Sequence, residues 1–282
     1  MIVNVFVATL LCLLNGHIVY ADVTLTKSVL ESYFNSSGVT TVYNLTTLAL
    51  NGNSISSIDS STFASNLTQV TTLNLNDNQL TSINGSLFSG LTNLITLTIN
   101  NNLLTSLTST SFTGLSKLET LRIRSNNIAS ISSSAFSGLS SLKSLDLQSN
   151  EISSFSSSTF SSLTSLTLLQ LYNNNLASIS STLLSPLTSL TTIVLGFNNL
   201  TSLSGSVFSS LTKLTSIDIS YNSITSIASN VFSSLSSLQT VRIMNNTIIT
   251  SNITLVRSLC SSNSNCNIWC SNTQLCSSYS SS

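Results

Sequence analysis

The sequence predicts an α/β solenoid, in which similar coils stack and each coil contributes one strand to a parallel sheet. Three observations predict it. An asparagine recurs every 24 residues, the apolar residues before it alternate as they do in a strand, and a phenylalanine recurs at one later position. A single coil could not bury these apolar residues alone, so stacked neighbours must share one continuous core.

The asparagine column sets the register of the repeat. Its members are 24 residues apart, except that the first step is 25: Asn53, Asn78, Asn102, Asn126, Asn150, Asn174, Asn198, Asn222 and Asn246. Residues 118–141 give one full unit, LxxLxLxxNxLxxIxxxxFxxLxx, with its first leucine at position 1 and its asparagine at position 9. Positions 4 and 6 then point to one side of a strand and positions 5 and 7 to the other.

Two columns should hold the coils together. An asparagine side chain both donates and accepts, so it can satisfy backbone groups in its own turn and in the adjoining coil. The aromatic column should stack as a spine behind the sheet, with Leu184 substituting once for the phenylalanines Phe63, Phe88, Phe112, Phe136, Phe160, Phe208 and Phe232. We therefore assign both columns to the fold and not to chemistry.

This repeat resembles the leucine-rich-repeat family, in the 24-residue form common in extracellular proteins, and the resemblance covers residues 45–248. It implies a horseshoe with a concave parallel sheet and an irregular convex side. Serine between the strands favours loops and short 3-10 turns there. Residues 22–44 should form an N-terminal cap without cysteines, with a helical turn around residues 27–34. Residues 249–282 should form a C-terminal cap with a short amphipathic helix that includes Ile253, Leu255, Val256 and Leu259.

Residues 1–21 are interpreted as a signal peptide. Residues 2–14 are apolar but too short to span a bilayer, and the small-residue site Val19-Tyr20-Ala21 precedes Asp22. No later stretch of 18 or more residues is continuously apolar. The sequence therefore predicts a mature protein that is secreted and extracellular, without a membrane span.

The cysteine and sequon patterns are consistent with an extracellular location. After Cys12 the cysteines lie only near the end, at Cys260, Cys266, Cys270 and Cys276. Their C-x5-C-x3-C-x5-C spacing does not match the usual zinc patterns, so we expect two disulfides, with three pairings open. Glycosylation is expected at several of the sequon asparagines, which are Asn35, Asn44, Asn66, Asn84, Asn199, Asn245 and Asn252.

Composition excludes several functions. Charged residues are 6% of the chain and its net charge is zero, whereas about 25% charged residues is usual. So few cations cannot form the basic stripe that nucleic-acid binding requires. The only histidine, His17, lies in the interpreted signal peptide. We therefore expect no catalysis by histidine and no metal site with a histidine ligand in the mature protein. Asp146 and Asp218 lie three coils apart, about 14 Å at strand spacing, too far for a glycosidase pair. We expect no enzyme, cofactor or metal.

Function should therefore reside on the concave face, at positions 5, 7 and 8. Between the sequons Asn84 and Asn199 this face has no glycosylation signal. Within that interval, the large polar, charged and aromatic side chains on the face are our candidate ligand-binding residues: Arg122, Arg124, Asp146, Gln148, Gln170 and Tyr172. Exposed arginine and aromatic side chains are typical of interface hot spots. The opposing interpretation is that Arg122–Asp146 and Asp218–Arg242 are only solvated cross-strand pairs.

The sequence thus predicts a binding module for an extracellular protein or glycoconjugate. The family resemblance implies adhesion, signalling or innate recognition. Two alternatives stay open: a structural, glycosylated coat or matrix protein without a discrete ligand, and a truncated receptor ectodomain.

Overall fold

The computed structural model describes residues 2–4, 12–14, 17–19, 23–26, 28, 46–63, 67–83, 85, 87–260, 263 and 265–277. The chain divides into two compact units, residues 1–142 and residues 143–282. Most of the expected N-terminal cap, including its helical turn, lies outside the described residues, as do the sequons Asn35, Asn44, Asn66 and Asn84.

The first unit is built from short strands. They are β1 (Ile2–Asn4), β2 (Cys12–Leu14), β3 (His17–Val19), β4 (Val23–Leu25), β5 (Thr47–Ala49), β6 (Ile55–Ile58), β7 (Thr72–Asn74), β8 (Thr96–Thr98), β9 (Ser106–Leu107), β10 (Thr120–Arg122) and β11 (Ser130–Ile131). Strands β1, β5, β7, β8 and β10 form a parallel sheet in that order. The strand β1, which pairs with β5, comes from the segment that the sequence assigns to a signal peptide.

The second unit repeats the same plan, and its described residues include three helices. Its elements are β12 (Ser144–Asp146), β13 (Leu168–Gln170), α1 (Ser181–Leu184), β14 (Thr192–Val194), β15 (Ser202–Leu203), β16 (Ser216–Asp218), β17 (Ser226–Ile227), β18 (Thr240–Arg242), α2 (Thr247–Ser251), α3 (Ile253–Ser258) and β19 (Asn267–Trp269). Strands β12, β13, β14, β16, β18 and β19 form its parallel sheet in that order.

In both units the equivalent repeat positions face each other. Leu73 pairs with Leu97, and Leu97 with Leu121, so position 4 stacks on position 4 along the sheet. Behind the sheet, bonds from a backbone N–H to the carbonyl three residues earlier make successive tight turns, as at Leu91 and Leu94. The sequence prediction of an α/β repeat solenoid with a parallel sheet and an irregular opposite side is confirmed. Short strand pairs on that opposite side, β9 with β11 and β15 with β17, were not predicted.

The aromatic column lies in the core, as predicted. Phe112 and Phe136 stack with ring centroids 6.1 Å apart, and Phe208 and Phe232 are separated by the same distance. Leu184, which replaces phenylalanine in one coil, is also fully buried. In that coil the turn becomes the helix α1, whose N-terminus is capped because the Ser180 hydroxyl accepts a hydrogen bond from the Leu183 N–H. Leucine favours a helix more than phenylalanine does.

The C-terminal cap closes the sheet of the second unit. Strand β19 pairs in parallel with β18 and places Ile268 opposite Val241, so the edge of the last repeat strand is covered. The predicted amphipathic helix is α3, which buries Val256, while Leu259 is buried just after it. The open question of disulfide pairing has a definite answer: the bonds join neighbours in sequence, Cys260–Cys266 and Cys270–Cys276.

Candidate binding face

The candidate site is the side of each sheet that does not face the core. In β13, Leu169 at position 4 is fully buried, as is Leu171 at position 6, whereas Gln170 and Tyr172 at positions 5 and 7 are partly exposed. We define the sheet face as the side chains at positions 5 and 7, with position 8 at its edge. Strand alternation is therefore the reason why the variable residues are presented to solvent.

The asparagine column fixes the turn that follows each strand. The Nδ2 of Asn198 donates to the carbonyls of Leu195 and Gly196 in its own turn, and to that of Leu171 in the preceding coil, at 2.9–3.3 Å. Its Oδ1 accepts the Leu176 N–H at 3.0 Å. Asn174 and Asn222 make the same set of contacts. The prediction that this amide both donates and accepts between coils is confirmed.

Position 8 has an unusual backbone. Just before the asparagine, φ lies between 53° and 57° in each coil from the second onward, at Asp77, Asn101, Ser125, Ser149, Asn173, Phe197, Tyr221 and Asn245. Asparagine and aspartate enter this left-handed region more readily than other non-glycine residues, whereas a bulky side chain there is an outlier. Phe197 and Tyr221 therefore occupy positions whose backbone disfavours them.

These two strained residues belong to an aromatic cluster on the sheet face of the second unit. The rings of Phe197 and Tyr221 stack with centroids 4.0 Å apart and an interplanar angle of 19°. Tyr172, one coil earlier, contacts Phe197 with centroids 4.9 Å apart and an angle of 50°. Phe197 is 40% exposed. We call Tyr172, Phe197 and Tyr221 the aromatic cluster.

The residue before Phe197 is a glycine with little space for a side chain. Gly196 occupies position 7, and a Cβ atom there would come within 3.2 Å of Ser220 Oγ and 3.3 Å of Asp218 Oδ1. That Asp218 oxygen accepts hydrogen bonds from the backbone N–H and the hydroxyl of Ser220. Ser220 and Asp218 therefore fill the space that a side chain at this position would need.

The structure distributes the six candidate residues over both units. Arg122 and Arg124 are exposed in the first unit. In the second, Asp146 is only 5% exposed and its Oδ1 accepts the Gln148 N–H at 3.0 Å. Gln148 and Gln170 are partly exposed, and Tyr172 belongs to the aromatic cluster.

Phe197 and Tyr221 were not among the six candidates. The sequence does carry a signal for them, namely large aromatic residues in a column otherwise filled by small polar ones.

The cross-strand pair Asp218–Arg242 does not form a salt bridge. The two residues are in register on β16 and β18. Among the described residues of this unit, however, no ion pair joins them, and the carboxylate of Asp218 is hydrogen-bonded to Ser220. The exposed Arg242 side chain is therefore not neutralised by that contact.

Other features of the described residues bear on the site. The sequon asparagines Asn199, Asn245 and Asn252 are exposed. No group of three or more His, Cys, Asp or Glu residues suited to a metal ion is found in the described part of the chain. Within the same residues, no helix is long and apolar enough to cross a membrane.

Stacked coils of one strand and one loop, joined by an asparagine column, define a leucine-rich-repeat solenoid. The family model for leucine rich repeats matches residues 43–102, 68–128, 92–152, 116–176, 140–199 and 188–248. The chain belongs to the leucine-rich-repeat family. No curated protein sequence matches it significantly.

Solved structures with the same fold include chains of two complexes. A chain of the TLR13–ssRNA13 complex is 31% identical, with a TM-score of 0.71 over 78% of this chain and 30% of that one. A chain of the glycosylated Drosophila Toll–Spatzle complex is 25% identical, with a TM-score of 0.75 over 87% of this chain and 33% of that one. This chain thus spans about a third of either. A Leptospira interrogans leucine-rich-repeat protein, 23% identical with a TM-score of 0.60 over 79% of this chain and 59% of its own, shares the fold.

Proposed function

We propose that this protein is a secreted, non-enzymatic binding module that recognises an extracellular protein or glycoconjugate through its sheet face. The observation that carries the proposal is the aromatic cluster, because Phe197 and Tyr221 keep large rings at backbone positions that disfavour them. Strained residues persist where the surroundings enforce them, and they concentrate at functional sites. Aromatic side chains are also enriched among interface hot spots.

The proposed site, in the second unit, combines the partly exposed sequence candidates Gln148, Gln170 and Tyr172 with Phe197 and Tyr221. Tyr172 links the two sets, because it is a candidate and also contacts Phe197. The Toll–Spatzle and TLR13–ssRNA13 complexes support ligand binding by this fold, and in this chain the low charge favours a ligand other than nucleic acid.

A comparative capture experiment tests the proposal. The wild-type protein, a Tyr172→Ser/Phe197→Ser/Tyr221→Ser variant and a Leu103→Ser control are immobilised and exposed to extracellular proteins and glycoproteins. Leu103 is a suitable control because it is 49% exposed and follows Asn102, outside the sheet face. We expect at least one ligand to be retained by the wild type and by the control but lost from the triple variant.

Quantitative mass spectrometry of the retained molecules gives the readout. Circular dichroism melting of all three proteins must show that the variants are folded. Equal retention of every molecule by all three proteins would overturn the proposal, since the cluster would then contribute nothing to binding.

A further inference from the structure

The sheet face of the first unit directs amide oxygens inward. The Oδ1 of Asn76 accepts the Asn100 N–H at 2.7 Å, and the Oδ1 of Asn100 accepts the Arg124 N–H at 2.9 Å. The Oδ1 of Asn74 accepts the Asn76 N–H and the Thr98 hydroxyl. A backbone N–H can only donate, so each amide must turn its oxygen toward the sheet.

The consequence is that hydrogen-bond donors face outward. In Asn76 and Asn100 the Nδ2 group lies on the branch opposite the bonded oxygen, and within the described residues neither Nδ2 donates to another group. These two residues and Arg124 occupy position 7 of successive strands, about 4.8 Å apart. Position 7 of these three strands therefore presents amide N–H groups and a guanidinium.

Arg122 strengthens this donor surface. It lies two residues before Arg124 on the same face, and both side chains are exposed. Arginine stays charged at every physiological pH and offers a planar fork of donors that matches carboxylates. We call Asn76, Asn100, Arg122 and Arg124 the donor patch.

None of the described carboxylates of the first unit occupies position 5 or 7 of its sheet face. Asp59 is on the loop side, where hydrogen bonds from the Ser61 N–H and hydroxyl lower the pKa of its carboxyl group. Glu119 is at position 2, before the strand, and Asp77 is at the edge of the face, where its Oδ1 accepts a hydrogen bond from Asn101. A ligand on the donor patch must therefore bring its own acceptors.

We infer that the donor patch binds carboxylates in an acidic segment of a protein partner. This inference rests on the proposed function, because it specifies the chemistry of a ligand for the same kind of face. Two arginines flanked by neutral amides complement one or two carboxylates. A nucleic acid or sulfated polymer would require cations along the whole face, and the patch has two.

The sharpest test converts one donor into an acceptor. In Asn100→Asp the carboxylate can still accept the Arg124 N–H, so the fold is retained, but the outward group becomes negative. The probe is a fluorescein-labelled hexaglutamate peptide, followed by fluorescence anisotropy at low ionic strength. We expect its Kd to rise about tenfold or more, because juxtaposed like charges oppose binding. Arg122→Gln/Arg124→Gln should weaken it about tenfold as well.

Two controls separate local from general effects. Ser109→Asp adds the same charge on the exposed loop side of this unit, and Arg242→Gln removes an exposed arginine from the other unit. Both should bind the peptide as the wild type does. The inference fails if Asn100→Asp and Ser109→Asp weaken binding equally, or if the double arginine variant binds as the wild type does. It also fails if heparin or single-stranded RNA binds the patch more tightly than hexaglutamate.

The result is distinguishable from that of the capture experiment. Loss of hexaglutamate binding in the donor-patch variants supports this inference even if the aromatic cluster makes no contribution to ligand capture. Conversely, a captured ligand that depends on Phe197 supports the proposed function even if hexaglutamate does not bind.

Discussion

Phe197 and Tyr221 stack face to face, with ring centroids 4.0 Å apart, although both residues have a left-handed backbone with φ of 53°. The contact arises because position 8 of each coil lies beside position 8 of the next. The same adjacency pairs Asp77 with Asn101 and Ser149 with Asn173 through hydrogen bonds. What differs in coils seven and eight is the side chain, and this relationship leads to the first prediction.

Replacing Phe197 should cost less stability than replacing Tyr172. In Phe197→Asn, relief of left-handed strain, about 1–2 kcal/mol, offsets most of the loss of two ring contacts, about 0.5–1.5 kcal/mol each. Tyr172 is not left-handed, so Tyr172→Asn loses a ring contact without that relief. Urea unfolding of both variants measures the difference. A larger loss for Phe197→Asn would show that the ring stabilises the fold more than its backbone strain costs.

The asparagine column should be indispensable to stability. Asn174→Leu removes one accepted and three donated hydrogen bonds to buried backbone groups. We expect a loss of about 1–3 kcal/mol in the free energy of unfolding, since those groups are left without partners. The control is Asn175→Leu, the same change at the next, exposed residue. Equal melting temperatures for the two variants would contradict the role of the column.

The aromatic column should tolerate leucine but not alanine. Phe160 is fully buried, and Leu184 fills the equivalent space in the next coil. Phe160→Leu should therefore cost less than about 1.5 kcal/mol, whereas Phe160→Ala should cost about 3–5 kcal/mol through the cavity it leaves. Calorimetry of the two variants provides the comparison. If the leucine variant is as unstable as the alanine variant, this position requires an aromatic ring specifically.

The disulfide pairing can be tested by cleaving the chain between the two disulfides. Trp269 lies between Cys266 and Cys270, so non-reducing digestion by trypsin at Arg257 and chymotrypsin at Trp269 should release two unlinked cystine peptides. Either alternative pairing would hold the fragments together. Mass spectrometry before and after reduction distinguishes these outcomes, and a free thiol or bound zinc at any of the four cysteines would be equally inconsistent with the pairing.

The exposed sequons should carry glycan. Asn252 is informative because its Oδ1 accepts the Leu255 N–H at the start of α3, which leaves Nδ2 available for attachment. Enzymatic deglycosylation in heavy-oxygen water should label Asn199, Asn245 and Asn252 in protein secreted from eukaryotic cells. Thr254→Ala should abolish the label at Asn252 alone. An unlabelled wild-type protein would argue against glycosylation.

The repeat pattern was sufficient to predict the strands, the asparagine contacts and the buried aromatic column. These features depend on local alternation and on the fixed 24-residue period, so Leu169, Phe160 and Asn174 could each be placed from one coil. The burial of Val256 was likewise predictable, because the apolar residues of its helix are spaced to lie on one face. The short strand pairs on the loop side could not be predicted, because Ser106 and Ser130 carry no distinctive pattern.

Only the tertiary structure decided how distant residues combine. The cysteine spacing allowed three pairings, and proximity in the folded cap selected Cys260 with Cys266. Tyr172 and Phe197 meet because position 7 of one coil lies beside position 8 of the next. The outward donors of Asn100 follow from a hydrogen bond to the adjoining coil. Such contacts depend on side-chain orientation across 24-residue steps, which a sequence pattern does not contain.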